Sequence, residues 1–141
     1  MELKFLDAST QYLKYKCSIH ETGKLGLNAD CNTLMDITNK KFFKVAYEKD
    51  TNGKIKLYLV DSDEEPLAGK IYKAGNYYFM KLSALFDEIG LDYKSNTISF
   101  IVKNGGQYNG RDLFVLTEYS NKKREKGGDK EEGADELASL D

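Results

Sequence analysis

Tryptophan is absent from this 141-residue chain, and its only proline is Pro66. Histidine occurs once (His20), arginine twice (Arg111 and Arg124) and cysteine twice (Cys17 and Cys31). Each scarcity excludes something. Two cysteines are too few for a disulfide framework. Cys17, His20 and Cys31 do not have the spacing of a tetrahedral zinc site and lack a fourth soft ligand. So little arginine argues against bidentate readout of guanine. No apolar run approaches the ~18 residues of a membrane-spanning helix, so no membrane partner is expected. The opening MELKFLDAST lacks the basic-then-apolar pattern of a signal peptide, which makes a cytoplasmic location the expectation.

What is present suits a β-rich globular domain. Hydrophobic residues make up 40% of the chain and charged ones 31%. A chain of this length buries roughly two-thirds of its unfolded surface, enough for one core. The formal charge is −2. Residues 121–141 carry five basic and seven acidic side chains, leaving residues 1–120 neutral with sixteen of each. Nucleic-acid binding would therefore need a local basic patch rather than a global field.

After Tyr119 the composition changes. Residues 120–141 contain no aromatic side chain, and their charges are sorted, basic first and acidic last. Such a segment buries too little apolar surface to offset chain ordering and reads as a disordered tail. It serves either as a solubilising terminus or as an acidic interaction tail, with Asp135 to Ala138 forming one helical turn on a protein partner.

Residues 1–119 read as one domain built from a faint internal repeat, residues 16–60 and 70–118 joined by a linker at 61–69. With Gly23 set on Gly75, Leu25 and Leu27 fall on Tyr77 and Phe79, Leu34 on Phe86 and Ile37 on Ile89. Phe43, Val45 and Tyr47 then match Ile98, Phe100 and Val102, and residues 57–60 match 113–116. Each copy reads as two short strands around a glycine turn, a short helix and two alternating strands, or ββαββ. Expected strands are 16–20, 24–28, 42–49 and 55–60, then 70–73, 76–81, 97–103 and 113–118. Asn52-Gly53 marks a hairpin, and residues 104–110 read as a longer loop. Ser83 is a candidate N-cap for the second helix and Gly90 its stop; Asp30 or Asn32 would cap the first. Residues 1–15 supply either a further strand through Tyr12, Leu13 and Tyr15, or a docking arm through Leu3, Phe5 and Leu6. A ββαββ unit of ~45 residues is too small to stand alone. Two of them are expected to close one α+β barrel or sandwich, which would remove unpaired strand edges.

The segment GKLGLNADCNTLMDITNKKFFKVAYEKDTNGKIKLYLV resembles the swapped-hairpin regulators of the AbrB type. Gly23-Lys24, residues 25–27, 34–37 and 43–60 fall where those domains have a glycine-basic turn, a strand, a helix and a hairpin. The resemblance implies two intertwined ββαββ copies, here in tandem as a pseudo-dimer, and DNA as the ligand. The chain departs from the family in lacking its arginine-rich face and the proline at its helix start. More loosely, the tyrosine-rich body is similar to Whirly and Pur-type single-strand binders, which place their helix after four strands.

Catalytic chemistry has little support, and no enzyme activity or cofactor is expected. Alternation puts Cys17 and His20 on opposite faces, with His20 in solvent, so a Cys–His pair is not formed. Asp61, Asp63, Glu64 and Glu65 read as a solvated linker, since Pro66 interrupts any calcium frame. Gly105, Gly106 and Gly110 precede no helix and are no phosphate cradle. One constellation remains. Lys70, Tyr72, Lys73, Tyr77, Tyr78 and Lys81 cluster in one hairpin, and Lys24, Lys40, Lys41 and Lys44 lie in the other half. Alternation predicts Tyr77 and Phe79 inward and Tyr72, Tyr78, Tyr93 and Tyr108 outward. Lysines interleaved with rings on a sheet offer stacking and phosphate neutralisation to DNA or RNA. The competing expectation is a structural or protein-interaction module that assembles with copies of itself or docks a partner.

Overall fold

The computed structural model describes residues 1–5 and 14–124. The expectations for Leu6, Tyr12, Leu13 and residues 125–141 lie outside the described residues. Among the described residues, eight strands and two short helices follow one another. The first half holds β1 (Lys16–Ile19), β2 (Lys24–Leu27), α1 (Asp30–Met35), β3 (Phe42–Lys49) and β4 (Ile55–Ser62). The second holds β5 (Ala68–Ala74), β6 (Tyr77–Lys81), α2 (Ser83–Glu88), β7 (Asn96–Tyr108) and β8 (Arg111–Lys123).

The strands close into one antiparallel barrel in the order β1-β2-β6-β5-β3-β4-β8-β7, with β7 returning to β1. Of the two architectures left open by the sequence, the chain adopts the barrel. Inside lie alternate residues of each strand, among them Ile19, Leu25, Leu27, Phe43, Leu57, Leu59, Met80, Phe100, Phe114 and Leu116. Each buried Leu, Ile or Phe side chain contributes about 1.5–3 kcal/mol relative to exposure. The helices close over this core with Cys31, Met35 and Phe86. Neither helix has a side-chain N-cap bond, so Ser83, Asp30 and Asn32 do not cap as expected. The stop at Gly90 is as expected. With φ at 79°, Gly90 lets its own N–H reach Asp87 O at 3.2 Å and Leu91 N–H reach Phe86 O at 3.0 Å, the paired bonds of a Schellman ending.

Turn length decides which side chains face inward. In the β1–β2 turn His20 N–H donates to Lys24 O and Gly23 N–H to His20 O, enclosing Glu21, Thr22 and Gly23. The β5–β6 turn is shorter: Ala74 pairs with Tyr77, so only Gly75 and Asn76 intervene. Setting one glycine on the other therefore shifts the second strand by one residue, and one residue reverses every side chain. Tyr78 and Met80 face the core, whereas Phe79 lies on the outer face, stacked on Tyr72. The expected facing of Tyr78 and Phe79 is thus corrected. The same one-residue slip affects 113–116, where Phe114 and Leu116 are the buried pair.

The last two strands are longer than the sequence suggests. Residues 104–110 are not a loop; the β7–β8 ribbon runs on to Tyr108 and Arg111, turning through Asn109 (φ 51°) and Gly110 (φ 80°). At its other end β8 passes Tyr119 and pairs up to Lys123 with Asn96, so residues 120–124 belong to the barrel and not to a tail. Tyr15 packs against the core, while Leu3 and Phe5 are exposed. Among the described residues, no helix is long and apolar enough to cross a membrane.

Candidate nucleic-acid interface

The outer face of β2, β6 and β5 gathers basic and aromatic side chains through its register. Lys24 stands opposite Lys81, Gly26 opposite Phe79, and Phe79 opposite Tyr72. Gly26 contributes no side chain, so the β6 and β5 rings fill the middle of the face. Tyr72 and Phe79 stack with centroids 5.3 Å apart and planes at 20°. Around them, Lys24 Nζ sits 4.8 Å from the Phe79 centroid, and Lys81 and Lys70 Nζ sit 5.0 and 5.5 Å from that of Tyr72. Phe79 is 8% exposed and Tyr72 37%, so Tyr72 is the ring that solvent reaches. Neither Lys70 nor Lys81 forms an ion pair with a described residue. An anion arriving here would meet cations that it can draw off the rings.

The other expected residues do not join this cluster. Tyr78 and Tyr93 are in the core, against their expected outward facing, whereas Tyr108 is exposed as expected. Lys73 is exposed but alternates to the side opposite Tyr72. Lys41 is exposed before β3, its carbonyl accepting Ile71 N–H at 2.9 Å. Lys44 pairs with Glu65 at 2.8 Å. Lys40 pairs with Asp112 at 3.2 Å and Asp36 at 3.6 Å, and its hydrogen bond to Asp112 holds its pKa above the usual lysine value. Phe79 was missed as an outer residue because the sequence signal for it, strand alternation, depended on the turn length.

Both arginines are engaged by groups of the protein itself. Arg111 donates to Asp61 O at 3.1 Å and Asp63 Oδ1 at 3.2 Å, so the acidic run at 61–65 is partly neutralised rather than simply solvated. Arg124 donates to Thr97 Oγ1, Ile19 O and Tyr93 O at 2.9–3.2 Å.

A second surface lies on the outer side of β3, β4 and β8. A groove of about 770 Å³ is floored by Ala46, Tyr58, Val60 and Leu113 and flanked by Leu67 and Tyr108. Leu67 is 80% and Tyr108 59% exposed.

The two thiols and the imidazole are withdrawn from solvent. Cys17 and Cys31 are free and buried. Burial raises the Cys17 pKa well above the ordinary thiol value and lifts that of Cys31 to about 12. His20 is buried rather than solvent-facing, because the strand ends there: its Nδ1 lies 2.9 Å from Thr22 Oγ1 and accepts the Thr22 N–H at 3.3 Å within the turn. Among the described residues, no group of three or more His, Cys, Asp or Glu side chains could hold a metal ion. Compared with known protein families, curated proteins and solved structures, the chain matches none of them.

Proposed function

We propose that this protein is a non-catalytic nucleic-acid-binding module that takes single-stranded or low-specificity DNA or RNA on the outer face of β2, β6 and β5. The observation that carries the reading is the convergence of Lys24, Lys70 and Lys81 around the stacked Tyr72 and Phe79. Phosphates recruit the lysines, and a base stacks on Tyr72; base–aromatic stacking contributes about 1–3 kcal/mol per base and tolerates any sequence. Low specificity follows from the arginines, which are the usual readers of guanine and are here held by Asp63 and by backbone carbonyls. A cytoplasmic location belongs to the same reading and is supported by the two free thiols.

The proposed architecture is an AbrB-like pair of ββαββ halves fused in one chain. In its support, exchanging β1 with β5, β2 with β6, β3 with β7 and β4 with β8 returns the same set of neighbours. The halves differ in detail, as their two glycine turns do.

The test is fluorescence anisotropy of labelled oligo-dT and of a duplex at low salt. Affinity should fall as salt rises, and each of Lys24→Gln, Lys70→Gln and Lys81→Gln should flatten the single-strand salt slope by about 0.7. Tyr72→Ala should weaken single-strand binding about tenfold or more. No salt-dependent binding to either probe would sink the reading.

The groove over β3, β4 and β8 favours a second reading, a protein-interaction module. Exposed Leu67 and Tyr108 beside an apolar floor suit a docked protein segment or a second copy of the chain. Concentration-dependent self-association by light scattering, lost in Leu67→Asp, would support the second-copy form of it.

A further inference from the structure

We infer that residues 125–141 dock on the Lys24, Lys70 and Lys81 face of their own molecule and compete there with nucleic acid. The inference rests on reading that face as an anion-binding surface. Three observations carry it.

The first is where the chain leaves the barrel. Arg124 is fixed by its backbone N–H to Ser95 O at 2.8 Å and by its guanidinium to Ile19 O at 3.0 Å. Ile19 is the β1 residue opposite Leu25, the immediate neighbour of Lys24, and His20 N–H bonds Lys24 O at 2.8 Å. Arg124, the last described residue, is therefore tied to the hairpin end where β2 begins, and Lys24 and Lys81 are paired there.

The second is charge. Residues 125–141 hold seven acidic and two basic side chains, a formal −5. They stand against three lysines grouped on two rings, and neither Lys70 nor Lys81 has a described carboxylate partner. The groove on β3, β4 and β8, by contrast, sets Glu48, Asp61, Asp63 and Glu65 against Lys44 and Arg111, whose charges Glu65, Asp61 and Asp63 already engage, so it attracts the same segment less.

The third is reach. Seventeen residues extend at most about 3.3 Å each, or roughly 55 Å, whereas β2 to β5 is only two strand spacings of about 4.8 Å. A tether this short holds its charges over the face at about millimolar effective concentration, sufficient for weak contacts to compete.

The test uses the full chain with a nitroxide on Ser139→Cys; the buried Cys17 and Cys31 leave the new thiol as the reactive one. Broadening should fall on amides of 24–27, 68–74 and 77–81, vanish near 0.5 M salt, and vanish in the combined Lys24→Gln, Lys70→Gln, Lys81→Gln variant. In parallel, a chain ended after Arg124 should bind labelled oligo-dT about tenfold more tightly at low salt than the full chain. Broadening elsewhere, none at all, or broadening transferred to unlabelled partners in a mixed sample would overturn the inference. Broadening on the face with no oligonucleotide binding by either chain would uphold the tail contact and remove the nucleic-acid reading. Equal binding by both chains without broadening would do the reverse.

Discussion

Gly23 is the residue at which turn, helix and barrel end meet. Its φ is +91°, and a Cβ added there would lie 2.3 Å from Ser83 Cβ and 2.6 Å from Ser83 Cα. The turn is thus pressed against the start of α2, where Leu82 N–H also donates to Gly23 O. Gly75 has φ +61° with open space around its missing Cβ. A left-handed backbone costs an L-residue about 1–2 kcal/mol, and backbone overlap adds to that. Gly23→Ala should therefore destabilise by ~3 kcal/mol or more in urea unfolding, and Gly75→Ala by only ~1 kcal/mol. Equal losses would refute the close-approach role. The two thiols give a prediction in pH. Their folded pKa values lie above the unfolded value of 9.0, that of Cys31 at about 12. Protonated thiol is favoured by folding, so this stabilisation is complete below pH 9 and is lost as pH rises toward 12. Each thiol contributes a slope of up to about 1.4 kcal/mol per pH unit in that window. Urea unfolding of the wild type should show that extra alkaline slope over Cys31→Ala, and both thiols should resist labelling until the chain unfolds.

At the scale of elements, β8 shows how a strand can hide in a sequence. Residues 120–123 read SNKK, polar enough to pass for the start of a tail. They are held by what composition does not display: backbone pairs from Ser99–Ser120 to Asn96–Lys123, the buried Glu118 before them accepting Ile55 N–H at 2.9 Å, and the Arg124 bonds beyond. A chain ended after Tyr119 loses those pairs and leaves the Tyr93 and Ile19 carbonyls without their guanidinium. Net hydrogen-bond contributions of about 0.5–1.5 kcal/mol each predict a loss of ~3 kcal/mol or more by thermal unfolding. Ending after Arg124 should leave the melting temperature nearly unchanged. β7 hides in the opposite way, since Asn104 to Gly110 has the glycine of a loop yet forms a ribbon with a bulge between Asn104 and Gln107. By contrast β3, rich in alternating apolar and charged residues, has its expected bounds of Phe42–Lys49. Alternation reveals a strand that packs on one side. It fails where a ribbon carries no alternating apolar residues, as at Asn104 to Gln107; the solvent-exposed end of β3 is still legible because its pattern continues. The candidate interface was legible in the same measure. Lys24, Lys70, Tyr72 and Lys81 follow from composition and strand parity, whereas Phe79 and Tyr78 exchange roles on a turn length that glycine spacing alone does not set.

For the molecule as a whole, the barrel's closure determines what a fragment can do. Within residues 14–62 the sheet pairs are β1 with β2 and β3 with β4; within 68–124 they are β5 with β6 and β7 with β8. The remaining four contacts, β1–β7, β2–β6, β3–β5 and β4–β8, all cross between the two segments. Either segment alone would be two hairpins and a six-residue helix with the apolar faces of Leu25, Leu57 and Leu59, or of Met80, Phe100 and Leu116, turned to water. An isolated hairpin is marginal at best, and a helix that short does not hold itself together. Peptides 14–65 and 66–124 should therefore each lack a cooperative melt, and an equimolar mixture should regain one whose midpoint rises with concentration, because strand pairing has become bimolecular. Circular dichroism against temperature at several concentrations reads this directly. A cooperative melt from one segment alone would mean that its core closes without the other, and the interleaved pairing would then not be what stabilises the fold.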